Sequence, residues 1–128
     1  FISNSKRNHF IGSNSNKDRI IEGLKTVGMS NKFSENKIYS FDMVKNPKPD
    51  PDIYLKVIND NNLILKETII IEDSAIGVKA GFATGVKVLG LTAGKHWHIN
   101  RDKNELYING ASNVIDSYEN LSKVIEEL

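Results

Sequence analysis

An α/β domain, a mostly parallel sheet flanked by helices, is the fold class this sequence predicts, and three observations predict it. Short apolar runs alternate with segments of helical periodicity along the chain, the order that βα units impose. The run Thr68-Ile69-Ile70-Ile71 is unbroken and largely β-branched, as in a strand buried on both faces of a parallel sheet. The length, 128 residues, fits one core and leaves little room for a second.

The first strand is read at His9 to Gly12, followed by the polar cluster Ser13-Asn14-Ser15-Asn16. Ile20, Ile21, Leu24 and Val27 then recur at helical spacing up to Gly28, with Ser15 and Asp18 placed for a capping box and Gly28 for a C-terminal stop. A second strand is expected over Ile38 to Val44. It leads into Asn46-Pro47-Lys48-Pro49-Asp50-Pro51-Asp52, whose three prolines exclude both helix and sheet pairing and make the loop rigid. Asp50 and Pro51 suit the N-cap and first position of a helix that buries Ile53, Tyr54, Val57 and Ile58.

The run ending at Ile71 enters Glu72-Asp73-Ser74 directly, and a helix follows from Ala75 to Thr84. Its Gly77, Ala80, Gly81 and Ala83 are small, although each interior glycine costs about 1 kcal/mol relative to alanine. Such a helix must lie very close to its sheet. Val86 to Leu91 reads as a strand, and Val114-Ile115 with a helix from Ser117 to Leu128 closes the domain. Residues 92–110 are polar and irregular, assigned to a loop or short hairpin.

Composition limits the chemistry. Hydrophobic residues at 39% and charged residues at 26% are globular values and exclude a disordered chain. No apolar run reaches the length of a membrane span, and the opening FISNSKRNHF lacks a signal peptide's core. With no cysteine, thiolate catalysis and Cys-ligated zinc are excluded, and a cytoplasmic location is expected. Seventeen basic against sixteen acidic residues leave no field that would draw nucleic acid or a membrane surface. Function must therefore come from a local site.

In parallel α/β sheets ligands bind beyond the carboxyl ends of the strands, and three positions stand out there. Ser13 and Asn14 lie where a helix begins, a place that favours anions, although such residues also serve as ordinary helix caps. Lys48, held between Pro47 and Pro49, has a fixed backbone from which to present a cation to a phosphate. Glu72 and Asp73 are adjacent carboxylates where an apolar strand meets water, a half-site for a hard cation such as Mg²⁺. His96, Trp97 and His98 are read as surface residues, His9 as structural, and Asn120-Leu121-Ser122 as an unused glycosylation acceptor.

Taken in order, Phe10-Ile11-Gly12-Ser13-Asn14-Ser15, then Lys48-Pro49-Asp50-Pro51-Asp52-Ile53-Tyr54, then Ile69-Ile70-Ile71-Glu72-Asp73-Ser74-Ala75-Ile76-Gly77-Val78-Lys79-Ala80, the chain resembles the haloacid dehalogenase (HAD) superfamily. The likeness is to its phosphoglycolate phosphatase and β-phosphoglucomutase-like branch and covers about residues 9 to 91. It implies a Rossmann-like core and a Mg²⁺-dependent phosphohydrolase, a phosphatase or phosphomutase, acting on a small phosphorylated metabolite. It also implies that Ser13 hydrogen-bonds the transferring phosphoryl group with Asn14 beside it. Lys48 corresponds to the catalytic lysine that neutralises the nucleophile and phosphoryl oxygens, and Asp73 and Glu72 to the pair that holds Mg²⁺.

One departure limits that implication. Family members carry an Asp-x-Asp on their first strand, the first aspartate forming an aspartyl-phosphate and the second acting as general acid and base. No such motif follows an apolar strand here; Asp50-Pro51-Asp52 lies in the proline loop instead. The expected fold is thus the C-terminal part of the core over residues 9–128, lacking the central first strand and the cap domain, with residues 1–8 a linker remnant. The chain alone is expected to be inactive, with exposed central strand edges that favour self-association. The rival readings are a non-catalytic HAD-like binding or scaffold protein and a plain nucleotide-binding module, the latter opposed by the missing glycine-rich turn.

Overall fold

The computed structural model describes residues 8–26, 35–92, 102, 104–117, 119, 120 and 123. The elements are β1 (Ile11–Gly12), α1 (Lys17–Thr26), β2 (Ile38–Tyr39), α2 (Asp52–Asp60), β3 (Ile69–Glu72), α3 (Ala75–Phe82), β4 (Lys87–Leu91), α4 (Asn104–Ile108) and β5 (Asn113–Ile115). All pairings are parallel. β1 pairs β2 with Ile11 opposite Ile38, β3 pairs β4 with Ile70 opposite Val88, and β4 pairs β5 with Gly90 opposite Val114. The result is a two-stranded sheet, β1-β2, and a three-stranded sheet, β3-β4-β5. Among the described residues no ladder joins β1 to β3. The two edges expected to be open do not pair with each other.

Helix α2 serves both sheets. Its Ile53 and Val57 pack with Tyr39, Phe10 and Val44 against β1-β2, while Ile58 joins Ile70, Val78, Val86, Val88, Leu106 and Ala111 in the main core over the other sheet. The stripe Ile53, Val57 and Ile58 is buried as its spacing predicts, and Tyr54 packs against both clusters. A full side chain of this size buried from water contributes about 1.5–3 kcal/mol. The small residues of α3 act as expected: a Cβ on Gly81 would come within 2.9 Å of Val88 and 3.1 Å of Ile70. Glycine is what lets that helix sit on its sheet.

Several local expectations are corrected. Asn16, not the Ser15/Asp18 box, caps α1, its Oδ1 accepting from the Arg19 N–H at 2.8 Å. The strand expected to reach Val44 stops at Tyr39, because Ser40 is buried, turns its hydroxyl to Asp42 at 2.6 Å and opens a tight turn over Phe41–Met43. Pro51 rather than Asp50 occupies the cap of α2, its carbonyl accepting from the Leu55 N–H at 2.9 Å. Ile71 is 37% exposed, so β3 is not fully covered on both faces; among the described residues its second face carries a small cluster of Leu89, Ile115, Ile69 and Leu91. The stretch assigned to a loop holds α4, a helix too short for periodicity to show. It is capped through Asp102 Oδ1 and anchored by a fully buried Leu106. Gly28, the His96-Trp97-His98 group and most of the segment 117–128 lie outside the described residues.

Candidate functional site

The proline loop is closed on itself before it reaches its lysine. Asp52 Oδ2 accepts from the Asn46 backbone N–H at 3.1 Å and from its amide at 3.2 Å, and the Asp50 N–H donates to the Pro47 carbonyl at 3.0 Å. The Lys48–Pro49 peptide is cis. Lys48's own backbone bonds outward instead: its N–H donates to Asn14 Oδ1 at 3.0 Å and its carbonyl accepts from Asn14 Nδ2 at 3.4 Å. Two loops that are 34 residues apart in sequence are thereby joined.

The Lys48 side chain, 10% exposed, runs inward to the carboxyl ends of β1 and β3. Its ammonium donates to the Gly12 carbonyl at 3.0 Å and to Glu72 Oε1 at 2.5 Å, and lies 4.8 Å from the centre of the Tyr54 ring. Glu72 is 8% exposed. A pair this deep stands on its geometry, because breaking one partner strands the other charge away from water. Tyr54 donates its hydroxyl to the same Glu72 oxygen. Burial first, then the negative charges of Glu72 and Asp73 and the bond to Glu72, push the Tyr54 hydroxyl well above the usual phenol range, so it remains a neutral donor. Gly77 completes the arrangement, since a Cβ there would overlap the Glu72 carboxylate.

At the end of β1 the Ser13 N–H donates to the Tyr39 carbonyl at 3.0 Å, which fixes the loop to β2. Ser13 Oγ accepts from the Ser15 N–H at 3.1 Å. Accepting there leaves the hydroxyl proton as a donor for a ligand. At the end of β3 it is Ser74 that caps α3, accepting from the Gly77 N–H at 3.1 Å, so the exposed Asp73 is not the helix cap. Among the described residues no three His, Asp or Glu side chains gather as metal ligands would. Glu72 and Asp73 alone are at most half of a six-oxygen site, with one Glu72 oxygen already engaged by Lys48 and Tyr54.

The structure therefore brings Asn14, Lys48 and Glu72 into one bonded network and sets Ser13 at its edge. Tyr54 and the Gly12 carbonyl were not foreseen as parts of it. The sequence carries one signal for Tyr54: a phenol on an otherwise aliphatic stripe brings a hydroxyl that needs a partner when buried. For Gly12 there is none, because a backbone carbonyl has no side-chain identity to read.

The profile of the haloacid dehalogenase-like hydrolases matches residues 2–91, and the chain belongs to that family. It is similar to a phosphorylated carbohydrates phosphatase of Thermotoga maritima, 44% identical over 46 residues, which are 36% of this chain and 21% of that protein. A solved haloacid dehalogenase-like protein of unknown function from Agrobacterium tumefaciens superposes with a TM-score of 0.89 at 30% identity, over 98% of this chain and 57% of that one. A HAD family hydrolase from Deinococcus radiodurans, solved with bound phosphate and sodium, gives 0.80 at 32% identity, over 92% and 51%. The chain thus spans about half the length of these two structures and is a partial core of the fold.

Proposed function

We propose that this chain is the C-terminal part of the catalytic core of a phosphohydrolase, a phosphatase or phosphomutase, acting on a small phosphorylated metabolite. The observation that carries the reading is the Lys48 ammonium, buried at the carboxyl ends of β1 and β3 between the Gly12 carbonyl and Glu72, with the Ser13 and Asn14 loop alongside. A lysine has three donors. Two are taken, and the third can meet a phosphoryl oxygen while the fixed positive charge offsets negative charge that develops on transfer. Ser13 supplies a second donor through its hydroxyl. The phosphatase relative and the phosphate-bound neighbour support the same reading.

Asp73, with Glu72 behind it, would hold Mg²⁺, whose contribution when bound is to neutralise phosphoryl oxygens and orient the group. The aspartate nucleophile is proposed to lie outside these 128 residues, since none of them presents an Asp-x-Asp at the end of an apolar strand. No described helix is long and apolar enough to cross a membrane; a cytoplasmic location is part of the proposal. The edges of β1 and β3 that no described strand pairs would drive self-association of the isolated chain, read by sedimentation velocity.

Calorimetric titration with inorganic phosphate tests the reading. Saturable binding that Lys48→Ala weakens at least about tenfold is expected for a charge-assisted contact. Equal binding in both proteins refutes it. A second reading, a non-catalytic binding protein, has one observation in its favour, the full charge compensation of Lys48 by Glu72. Phosphate binding with no turnover after the missing aspartate strand is restored would favour it.

A further inference from the structure

We infer that Asn14 is a positioning residue: it sets the Lys48 ammonium for an incoming phosphate by clamping the lysine's own backbone, and does not itself meet the phosphate. The inference rests on the phosphate reading of this site. An asparagine carboxamide has an acceptor oxygen and a two-donor NH₂, and each end is engaged by Lys48, the oxygen by its N–H at 3.0 Å and one amide donor by its carbonyl at 3.4 Å. One bond would leave the lysine backbone free to turn about it; two bonds, one to each of the peptide units that flank the Lys48 Cα, hold it on both sides.

The rest of the loop does not do this. Its internal bonds run from Asn46 to Asp52 and from Asp50 to Pro47. They join residues that precede Lys48 to residues that follow it and leave its own N–H and carbonyl to Asn14. The far end of the same side chain is fixed on Gly12 and Glu72. A long, flexible stem held at both ends has little rotamer freedom left to lose when an anion arrives, which is how preorganisation raises affinity. Ser13 and Asn14 then divide the work, the serine hydroxyl keeping its proton to donate and the asparagine bonded to the lysine.

A double-mutant cycle on the full 128-residue chain decides between positioning and direct contact. The affinity for inorganic phosphate is measured by calorimetry in wild type, Asn14→Ala, Lys48→Met and the double variant. Loss of two hydrogen bonds that position a charge predicts about tenfold weaker binding in Asn14→Ala. With Lys48 already replaced, the same change should alter affinity by less than about twofold. Equal factors in the two backgrounds would mean that Asn14 meets the phosphate directly, and no loss in Asn14→Ala would mean that the clamp has no function; either overturns the inference. Should Lys48→Met fail to fold, Lys48→Met/Glu72→Gln serves as the background.

A ligand-free measurement separates this inference from the reading beneath it. Amide hydrogen exchange at Lys48 should quicken more than about tenfold in Asn14→Ala, while the amides of α2 and β3 stay protected. If wild type binds no phosphate yet exchange responds in this way, the phosphate reading falls and the clamp stands. Unchanged exchange at Lys48 overturns the clamp itself.

Discussion

Lys48→Met should unfold this protein at markedly lower temperature, and Glu72→Gln in the same chain should restore most of the loss. Methionine keeps the length of the stem and removes only the charge and its donors. Glu72, 8% exposed, then keeps one donor, the Tyr54 hydroxyl, and the Gly12 carbonyl loses its ammonium partner. Removing one member of a buried pair costs about 3–5 kcal/mol, and the surviving Tyr54 bond places this case near the lower end, about 3 kcal/mol. For a chain of this size that corresponds to a fall in Tm of roughly 10 °C. Glu72→Gln alone strands the lysine and should cost a similar amount. The double variant buries two neutral groups and should recover a coupling of about 2 kcal/mol or more. Thermal and urea unfolding followed by far-UV circular dichroism at pH 7 reads all four corners. Single losses below about 1 kcal/mol that simply add would mean the pair behaves as an exposed one, and the account of this site as a dry ion pair would be refuted.

The Tyr54 hydroxyl is held above its ordinary range, so above about pH 10 the unfolded chain releases a proton that the native chain retains. Stability should be insensitive to this group below that pH and fall above it by about 1.4 kcal/mol per pH unit. Tyr54→Phe should remove that component of the alkaline slope in urea titrations. Gly77→Ala would gain about 1 kcal/mol from helix propensity alone, but the new methyl overlaps Glu72. A net loss of about 2 kcal/mol in chemical denaturation is therefore expected, and a stabilised variant would show that Glu72 does not lie there. The isolated chain should show no Mg²⁺-dependent hydrolysis of p-nitrophenyl phosphate. Turnover that vanishes in Asp73→Asn would mean that the nucleophile lies within these 128 residues after all.

The βα order was legible because periodicity of 2 and of 3.6 is written in residue type. The three motif segments were legible because they place unusual residues at strand ends. What could not be read has physical causes. Ile71 is as apolar as Ile70, and only the layer beyond the sheet decides which is covered. α4 depends on Leu106 being buried under β4 and β5, a tertiary contact that no five-residue pattern announces. Asn14 was read as an anion contact at a strand end, and its two bonds to Lys48 were not legible because they arise from a neighbour 34 positions away. Tyr54 was counted as core, correctly for its ring and incompletely for its hydroxyl.

The site and the fold meet in one side chain. β1-β2 and β3-β4-β5 share no ladder among the described residues. They are linked by α2 beneath them and by Lys48, whose ammonium bonds a carbonyl of one sheet and a carboxylate of the other. Under the proposed reading, a phosphate that takes the third lysine donor adds a partner and should stabilise both sheets together. A phosphate that pulls the ammonium off Glu72 would instead leave a buried carboxylate with Tyr54 alone, at a cost that opposes binding. The group that would recognise phosphate is therefore also one that resists being moved to do so, and the clamp from Asn14 is what lets it act without moving.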